Sequence, residues 1–275
     1  MQGGDANTGL SPGQEAALRG TRFRVRWVAE TGSTNDDLLA AAGEGAADGA
    51  VLVADHQHAG HGRRGRSWQA PPGSSLLVSI LLRPDLAADR LHQLTTAVGV
   101  AAAEGIDEEV AVPVGLKWPN DLVAVTPDGE RKLGGILAEA SWSGSRLDAV
   151  VVGLGLNVTW PPTVPDELEG IAVALNHLTG EPLDRGDLLV ALLLRLEGIL
   201  ARPSAAGLVE RWRHLATTLG REVRVELASG ALVEGEAVDL TEAGHLVVQA
   251  GDDRVEVIAG DVHHLRVSTR ARGGG

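Results

Sequence analysis

Ala54-Asp-His-Gln-His-Ala-Gly-His-Gly-Arg-Arg-Gly-Arg-Ser-Trp68 lies between two apolar runs, Ala50-Val-Leu-Val53 and Ser75-Leu-Leu-Val-Ser-Ile-Leu-Leu82. Both runs read as buried strands, which makes the stretch a loop between them. Gly60, Gly62 and Gly65 alternate with Arg63, Arg64 and Arg66. Ordering such a loop costs backbone entropy and concentrates like charge. A solvated basic turn is one reading; the glycine spacing favours a site that holds an anion. The glycines also match GxGxxG, but a dinucleotide-binding fold needs a helix opening directly after that loop. Here Trp68, Pro71, Pro72 and Gly73 follow, then a strand, and adjacent prolines do not lie in a helix interior. No Gly-Lys-Ser/Thr ends the loop, so it is not a Walker sequence either.

The rest of the chain is acidic. With 24 Lys+Arg against 37 Asp+Glu, the formal net charge of −13 argues against free nucleic acid as a partner. The basic loop is therefore local and suits a small anionic ligand. The absence of cysteine excludes thiolate catalysis, disulfides and thiolate metal sites. Met1-Gln-Gly-Gly-Asp is no signal peptide, and the apolar run Leu188–Leu194 is too short to span a bilayer. A soluble, cytoplasmic protein with no membrane partner is expected.

Outward from the loop, residues 1–20 are small and polar and read as a flexible leader, with two helical turns between Pro12 and Arg19. Thr21–Val28 alternates as a half-exposed strand. Ser33, Thr34 or Asn35 caps a helix running to Ala42, with Asp36 and Asp37 in its first turn. Asp89–Gly105 carries helical periodicity. Gly115-Leu-Lys117-Trp118-Pro119-Asn120-Asp121-Leu122 reads as a strand end carrying Lys117, then a turn offering Asn120 and Asp121. A plain surface turn with a snorkelling lysine is the structural alternative. Leu133–Ala138 returns as a strand with Lys132 at its mouth, and Leu147–Val152 runs into Gly153-Leu-Gly155-Leu-Asn157; together these suggest a mixed sheet. Glycines at a strand mouth allow a ligand to approach the backbone, and barrel bends and simple packing are the alternatives. Helices are expected over Glu167–Leu178, Asp187–Leu200 and Ser204–Leu219, with Trp212 at a core or interface position. Past Gly220 short alternating strands read as a small all-β barrel, and Thr269–Gly275 as a disordered tail.

Five stretches together carry a resemblance: Thr31-Gly-Ser-Thr-Asn35, Gly60-His-Gly-Arg-Arg-Gly-Arg66 with Trp68, Lys117-Trp-Pro-Asn-Asp-Leu122, Lys132-Leu-Gly-Gly-Ile-Leu-Ala-Glu139 and Gly153-Leu-Gly-Leu-Asn157. Residues 23 to 267 resemble the biotin–protein ligase family in the form lacking an N-terminal DNA-binding domain. The resemblance implies an α/β (α+β) fold. Its mixed-sheet catalytic domain, of the biotin/lipoate ligase type related to class II aminoacyl-tRNA synthetases, would occupy residues 21–220. A C-terminal SH3-like β-barrel would follow over residues 221–268. It further implies ATP-dependent formation of biotinyl-5′-AMP with Mg²⁺. Biotin then passes to a lysine of a biotin carboxyl carrier domain of an acyl-CoA carboxylase. No DNA binding is implied, and the chain would be a monomer or weak homodimer.

The site residues follow from the same resemblance. Arg63, Lys117 and Lys132 would be catalytic. Biotin would be held by Ser33, Thr34, Gln57, Gly60, His61, Arg63, Lys132 and Gly135. Arg63, Arg66, Trp68, Lys117, Asn120, Asn157 and Trp212 would hold ATP and the adenylate, with Asp121 at the metal. Chemically, carboxylate and phosphate repel until fixed donors neutralise both, which guanidinium and ammonium groups do. His61 departs from the family pattern, which has arginine there, and points to pH-dependent ordering of a loop that is mobile without ligand. Residues 123–131 form a longer connection than is common. Lipoate or octanoate ligation on a related sheet, or non-catalytic biotin sensing, remain the alternatives.

Overall fold

The computed structural model describes residues 9–86, 90–144, 146–164, 166–227, 229–258 and 260–264. The first eight residues of the expected leader, and the whole expected tail, lie outside these. Seven strands form one sheet in the order β1-β2-β3-β7-β6-β5-β4: β1 (Arg24–Thr31), β2 (Ala50–Gln57), β3 (Ser75–Leu82), β4 (Val114–Lys117), β5 (Asp121–Thr126), β6 (Gly129–Ser143) and β7 (Arg146–Asn157). Only β1 and β2 are parallel; the other neighbours are antiparallel, which is the expected mixed sheet.

The period of two along a strand divides this sheet into a core face and a site face. On β3, Leu76, Val78, Ile80 and Leu82 join the main apolar core. Helices α3 (His92–Val110), α5 (Arg185–Ala201) and α6 (Ala205–Leu215) cover that core. Ser79 and Leu81 turn to the other face, where α2 (Thr34–Gly43) packs Leu38 and Ala42 on Leu52, Leu81, Ala149 and Val151. On β7 the same alternation puts Gly153 and Gly155 on the site face between core residues Val152, Leu154 and Leu156.

The helical turns expected between Pro12 and Arg19 are present as α1 (Pro12–Ala17), whose N-cap Ser11 and Gln14 make a reciprocal cap. Gln14 also donates to Asp184 and Asp187 at the start of α5, and Leu18 is buried in the core. The helix expected over Glu167–Leu178 is broken. A 3₁₀ turn at Asp166–Leu168 ends before Gly170, whose φ of +75° no helix tolerates, and α4 (Leu175–Thr179) starts only later. Between them Ile171–Val173 runs extended beside Lys132, which bonds Ile171 O and Val173 N through its backbone.

The SH3-like barrel expected over residues 221–268 is not closed. Strands β8 (Glu222–Leu227), β9 (Leu232–Leu240), β10 (Leu246–Ala250), β11 (Asp253–Val257) and β12 (Gly260–His264) form an open sheet ordered β11-β10-β9-β8-β12. Closure would require β11 and β12 to pair, and among the described residues each instead ends the ladder. The apolar side chains Val223, Val225, Ala237, Leu246, Val248 and Val262 belong to the same core cluster as the large sheet, so they are covered from outside and need no closed barrel. Trp118 fixes this docking: it is 1% exposed and its indole N–H donates to Gly244 O at 3.0 Å. Among the described residues no helix is long and apolar enough to cross a membrane.

Candidate active site

The site face of the large sheet, the loop after β2 and the edge of the terminal sheet enclose a cavity of about 590 Å³, within the range of small-molecule sites. Its polar end is built by the N-terminus of α2. Ser33 caps that helix, its Oγ accepting from Asp36 N at 3.4 Å. Thr34 donates to Gln57 Oε1 twice, from its backbone N–H at 2.7 Å and its hydroxyl at 2.9 Å. Ser79, fully buried on β3, places Oγ 2.7 Å from Thr34 Oγ1 and 2.6 Å from Asn35 Oδ1. Asn35 in turn donates to Glu139 Oε2 at 2.7 Å. A network with this many internal partners is rigid, because each buried polar atom is costly to leave unmet. It also consumes the Gln57 carbonyl and leaves the Gln57 NH₂ without a protein acceptor among the described residues.

The cationic end comes from three separate segments. Lys117 ends β4, just before the cis Trp118–Pro119 peptide, and its ammonium makes no ion pair among the described residues. Lys132 reaches the same face through a bulge. Gly135 pairs Asp121 and Gly134 pairs Leu122, but Val123 pairs Lys132, so one residue of β6 is skipped. Simple alternation would put Lys132 and Gly135 on opposite faces; the skipped residue brings them to one. Lys132 Nζ then donates to Asp121 Oδ1 at 2.7 Å and lies 5.6 Å from the centre of the Trp68 ring.

Arg63, Arg64 and Gly65 form a 3₁₀ turn in which Arg64 takes φ +57°. Arg63 donates to Asn120 Oδ1 and Gly260 O, each at 3.3 Å. Desolvation lowers the Arg63 pKa most strongly. The charges of Asp261 and Asp121 oppose that shift and those of Arg64 and Arg66 add to it. A guanidinium keeps its charge through such a shift. His61 sits on the cavity wall with Nε2 3.3 Å from Glu139 Oε2 and 3.8 Å from Asp36 Oδ1. Burial lowers its pKa, but the bond to Ala59 O and the bond and charges of Glu139 and Asp36 together raise it above the ordinary value.

Of the residues singled out from sequence, Ser33, Thr34, Gln57, His61, Arg63, Arg66, Trp68, Lys117, Asn120, Asp121, Lys132 and Gly135 all line this cavity. Gly60 stands behind it: a Cβ there would meet Trp68 O at 2.8 Å and Gln57 Nε2 at 2.9 Å. Asn157 is buried at the end of β7, donating to Val173 O, with its Oδ1 unpartnered. Trp212 lies in the core on α6 and does not line the cavity.

Comparison with known proteins identifies the family. Residues 31–157 match the biotin/lipoate A/B protein ligase family, and residues 218–265 match the biotin protein ligase C terminal domain. A biotin--[acetyl-CoA-carboxylase] ligase of Mycobacterium tuberculosis is 41% identical over 87% of this chain and 88% of its own length. This chain belongs to the biotin–protein ligase family. The bifunctional ligase/repressor BirA of Bacillus subtilis is 30% identical over 84% of this chain and 70% of its own. Among solved structures, a biotin protein ligase from Aquifex aeolicus in complex with biotin and ATP superposes with a TM-score of 0.74. It is 29% identical and covers 87% of this chain and 97% of that one.

Three residues of this biotin–protein ligase contribute to the site without having been singled out. Ser79 lay in what read as an uninterrupted apolar strand, yet its hydroxyl ties α2 to the sheet. Glu139 closes the fourth of the five stretches and accepts from both Asn35 and His61. Asp261, from the terminal sheet, meets the arginine loop. A serine inside an apolar run was a signal available in the sequence for the first; nothing local marks the third.

Proposed function

We propose that the cavity joins biotin to ATP and then hands biotin to a carrier protein. The protein is an ATP-dependent biotin–protein ligase. In the first half-reaction the biotin carboxylate oxygen bonds to the α-phosphorus of ATP and pyrophosphate leaves, giving biotinyl-5′-AMP. In the second, a lysine amine of a biotin-carboxyl-carrier-type domain bonds to the acyl carbon, loses its proton and expels AMP. An acyl-CoA carboxylase is the source we assign to that domain.

One observation carries the assignment of roles: Arg63, Lys117 and Lys132, from three segments, line one cavity together with the Thr34–Gln57 network. The neutral ureido ring needs donors and acceptors at fixed places, and Ser33, Thr34 and Gln57 offer them. The biotin carboxylate and α-phosphate, both anionic, meet between the lysines and Arg63, where preset cations hold the charge that develops. Trp68 shapes the wall against which the ligand lies, its ring pressed on Gly155.

Mg²⁺ fits this donor set at Asp121. Lys132 takes Oδ1, so Oδ2 is left for a cation held chiefly by phosphate oxygens and water, which is how Mg²⁺ is commonly bound. When present it neutralises phosphate charge. Biotin-dependent exchange of labelled pyrophosphate into ATP tests the first half-reaction, and the mass of an apo carrier domain after incubation tests the second. Absence of exchange with biotin, or exchange with lipoate in its place, would overturn the reading.

A further inference from the structure

All three arginines of the loop converge on one carboxylate that belongs to the other sheet. Arg64 Nη1 lies 3.2 Å from Asp261 Oδ2, Arg63 Nη1 lies 3.9 Å from Oδ1, and Arg66 is hydrogen-bonded to Oδ2. Two backbone carbonyls of the terminal sheet complete the contact: Gly260 O accepts from Arg63 and Glu226 O from Arg64. The Asp261 side chain is 18% exposed and lines the same cavity as Lys117 and Lys132. Without a counter-charge, three guanidinium groups this close would repel each other and the glycine-rich loop would open.

We propose that Asp261 is a positioning residue for the nucleotide step, an internal anion that holds the arginine loop shut until phosphates replace it. Arginine prefers planar, multidentate contacts with carboxylate or phosphate, so both compete for the same donors. ATP brings more charge and more acceptor oxygens than one carboxylate, and wins the exchange once bound. The terminal sheet thus helps set the affinity for nucleotide although the loop that binds it grows from the large sheet. The inference rests on the ligase reading, because it takes ATP as the incoming anion.

Two measurements on the full chain test it. Asp261→Asn keeps the shape and removes the charge. Trypsin should cut the ligand-free variant at Arg63, Arg64 or Arg66 several-fold faster than wild type, and Asp261→Glu should bring the rate back toward wild type. In pyrophosphate exchange the Asn variant should show a KM for ATP roughly three- to tenfold lower, as expected for losing one competing ion pair of a small network. Asp261 as a purely structural part would raise KM and lower kcat together. Unchanged cleavage without ligand, or a KM for ATP unchanged or raised, would overturn the proposal. If wild type itself shows no biotin-dependent exchange, the ligase reading fails instead, and the cleavage comparison still decides whether Asp261 holds the loop.

Discussion

Lys132 Nζ and Asp121 Oδ1 are 2.7 Å apart, on neighbouring strands whose register is shifted by one residue between Leu122 and Val123. Both side chains are about a third exposed, and ion pairs in that setting stabilise a fold by roughly 1 kcal/mol or less. The pair therefore matters for where the ammonium is held. Lys132→Ala is expected to lower the rate of adenylation by about 10²–10³-fold, as for removal of other donors preset for a developing charge. The melting temperature should move little. Stopped-time assays of biotinyl-AMP and a thermal melt decide together: a large loss of stability with a modest loss of rate would refute the catalytic role.

Gly155 is needed for a neighbour of the ligand. A Cβ at this position would stand 2.5 Å from Trp68 Cε2 and 2.7 Å from its Nε1, with the indole nitrogen already buried. Gly155→Ala forces the ring off the sheet, and overpacking of this kind costs about 1–3 kcal/mol. Because Trp68 also stacks near Lys132, the KM for ATP should rise along with the drop in melting temperature. Trp68→Ala in the same background should recover most of the stability and none of the binding. Equal stability of Gly155→Ala and wild type would show that the ring is not held there.

The large sheet and most of the cavity were legible because period-two alternation, the glycine-arginine loop and the Lys-Trp-Pro-Asn-Asp turn are local patterns. What escaped is non-local. Alternation alone sends Lys132 away from Gly135, and only the bulge opposite Val123 reverses that. The glycines of Gly153-Leu-Gly155 were open to a ligand, a barrel-bend or a packing reading; Asn35 fills the space beside Gly153 and Trp68 that beside Gly155, while both glycines also line the cavity. Five short alternating strands read alike whether they close into a barrel or lie open, since the difference is whether another surface covers their apolar side. Here Trp118 and the main core do so.

His61 gives the loop a dependence on pH whose sign follows from its raised pKa. The protonated ring is favoured by Glu139 and Asp36 in the folded chain. Its contribution is full below about pH 6.5, the unperturbed value, and fades as pH rises through the higher folded value. Loop cleavage by a protease should therefore quicken from mildly acidic to alkaline pH, after correction for the protease's own profile. His61→Arg carries its charge throughout and should flatten the curve. A wild-type rate that is flat, or that falls with pH, would disprove this role of His61.

His92, in the first turn of α3, works in the opposite direction. Burial, then the charges of His245 and Arg63, lower its pKa to about 4, while its ring lies 6.2 Å from that of Trp118. The fold refuses a proton that the unfolded chain accepts below about pH 6.5. Its contribution to stability is present above that value and is lost as pH falls toward the folded pKa. His92→Phe keeps an apolar ring and removes the proton site, so the variant should lose less stability than wild type between about pH 7 and about pH 5. Chemical denaturation at the two pH values measures the difference directly. Parallel losses in the two proteins would mean that folded His92 takes up its proton in this window as the unfolded chain does, and that the packing of Trp118 against α3 tolerates charge.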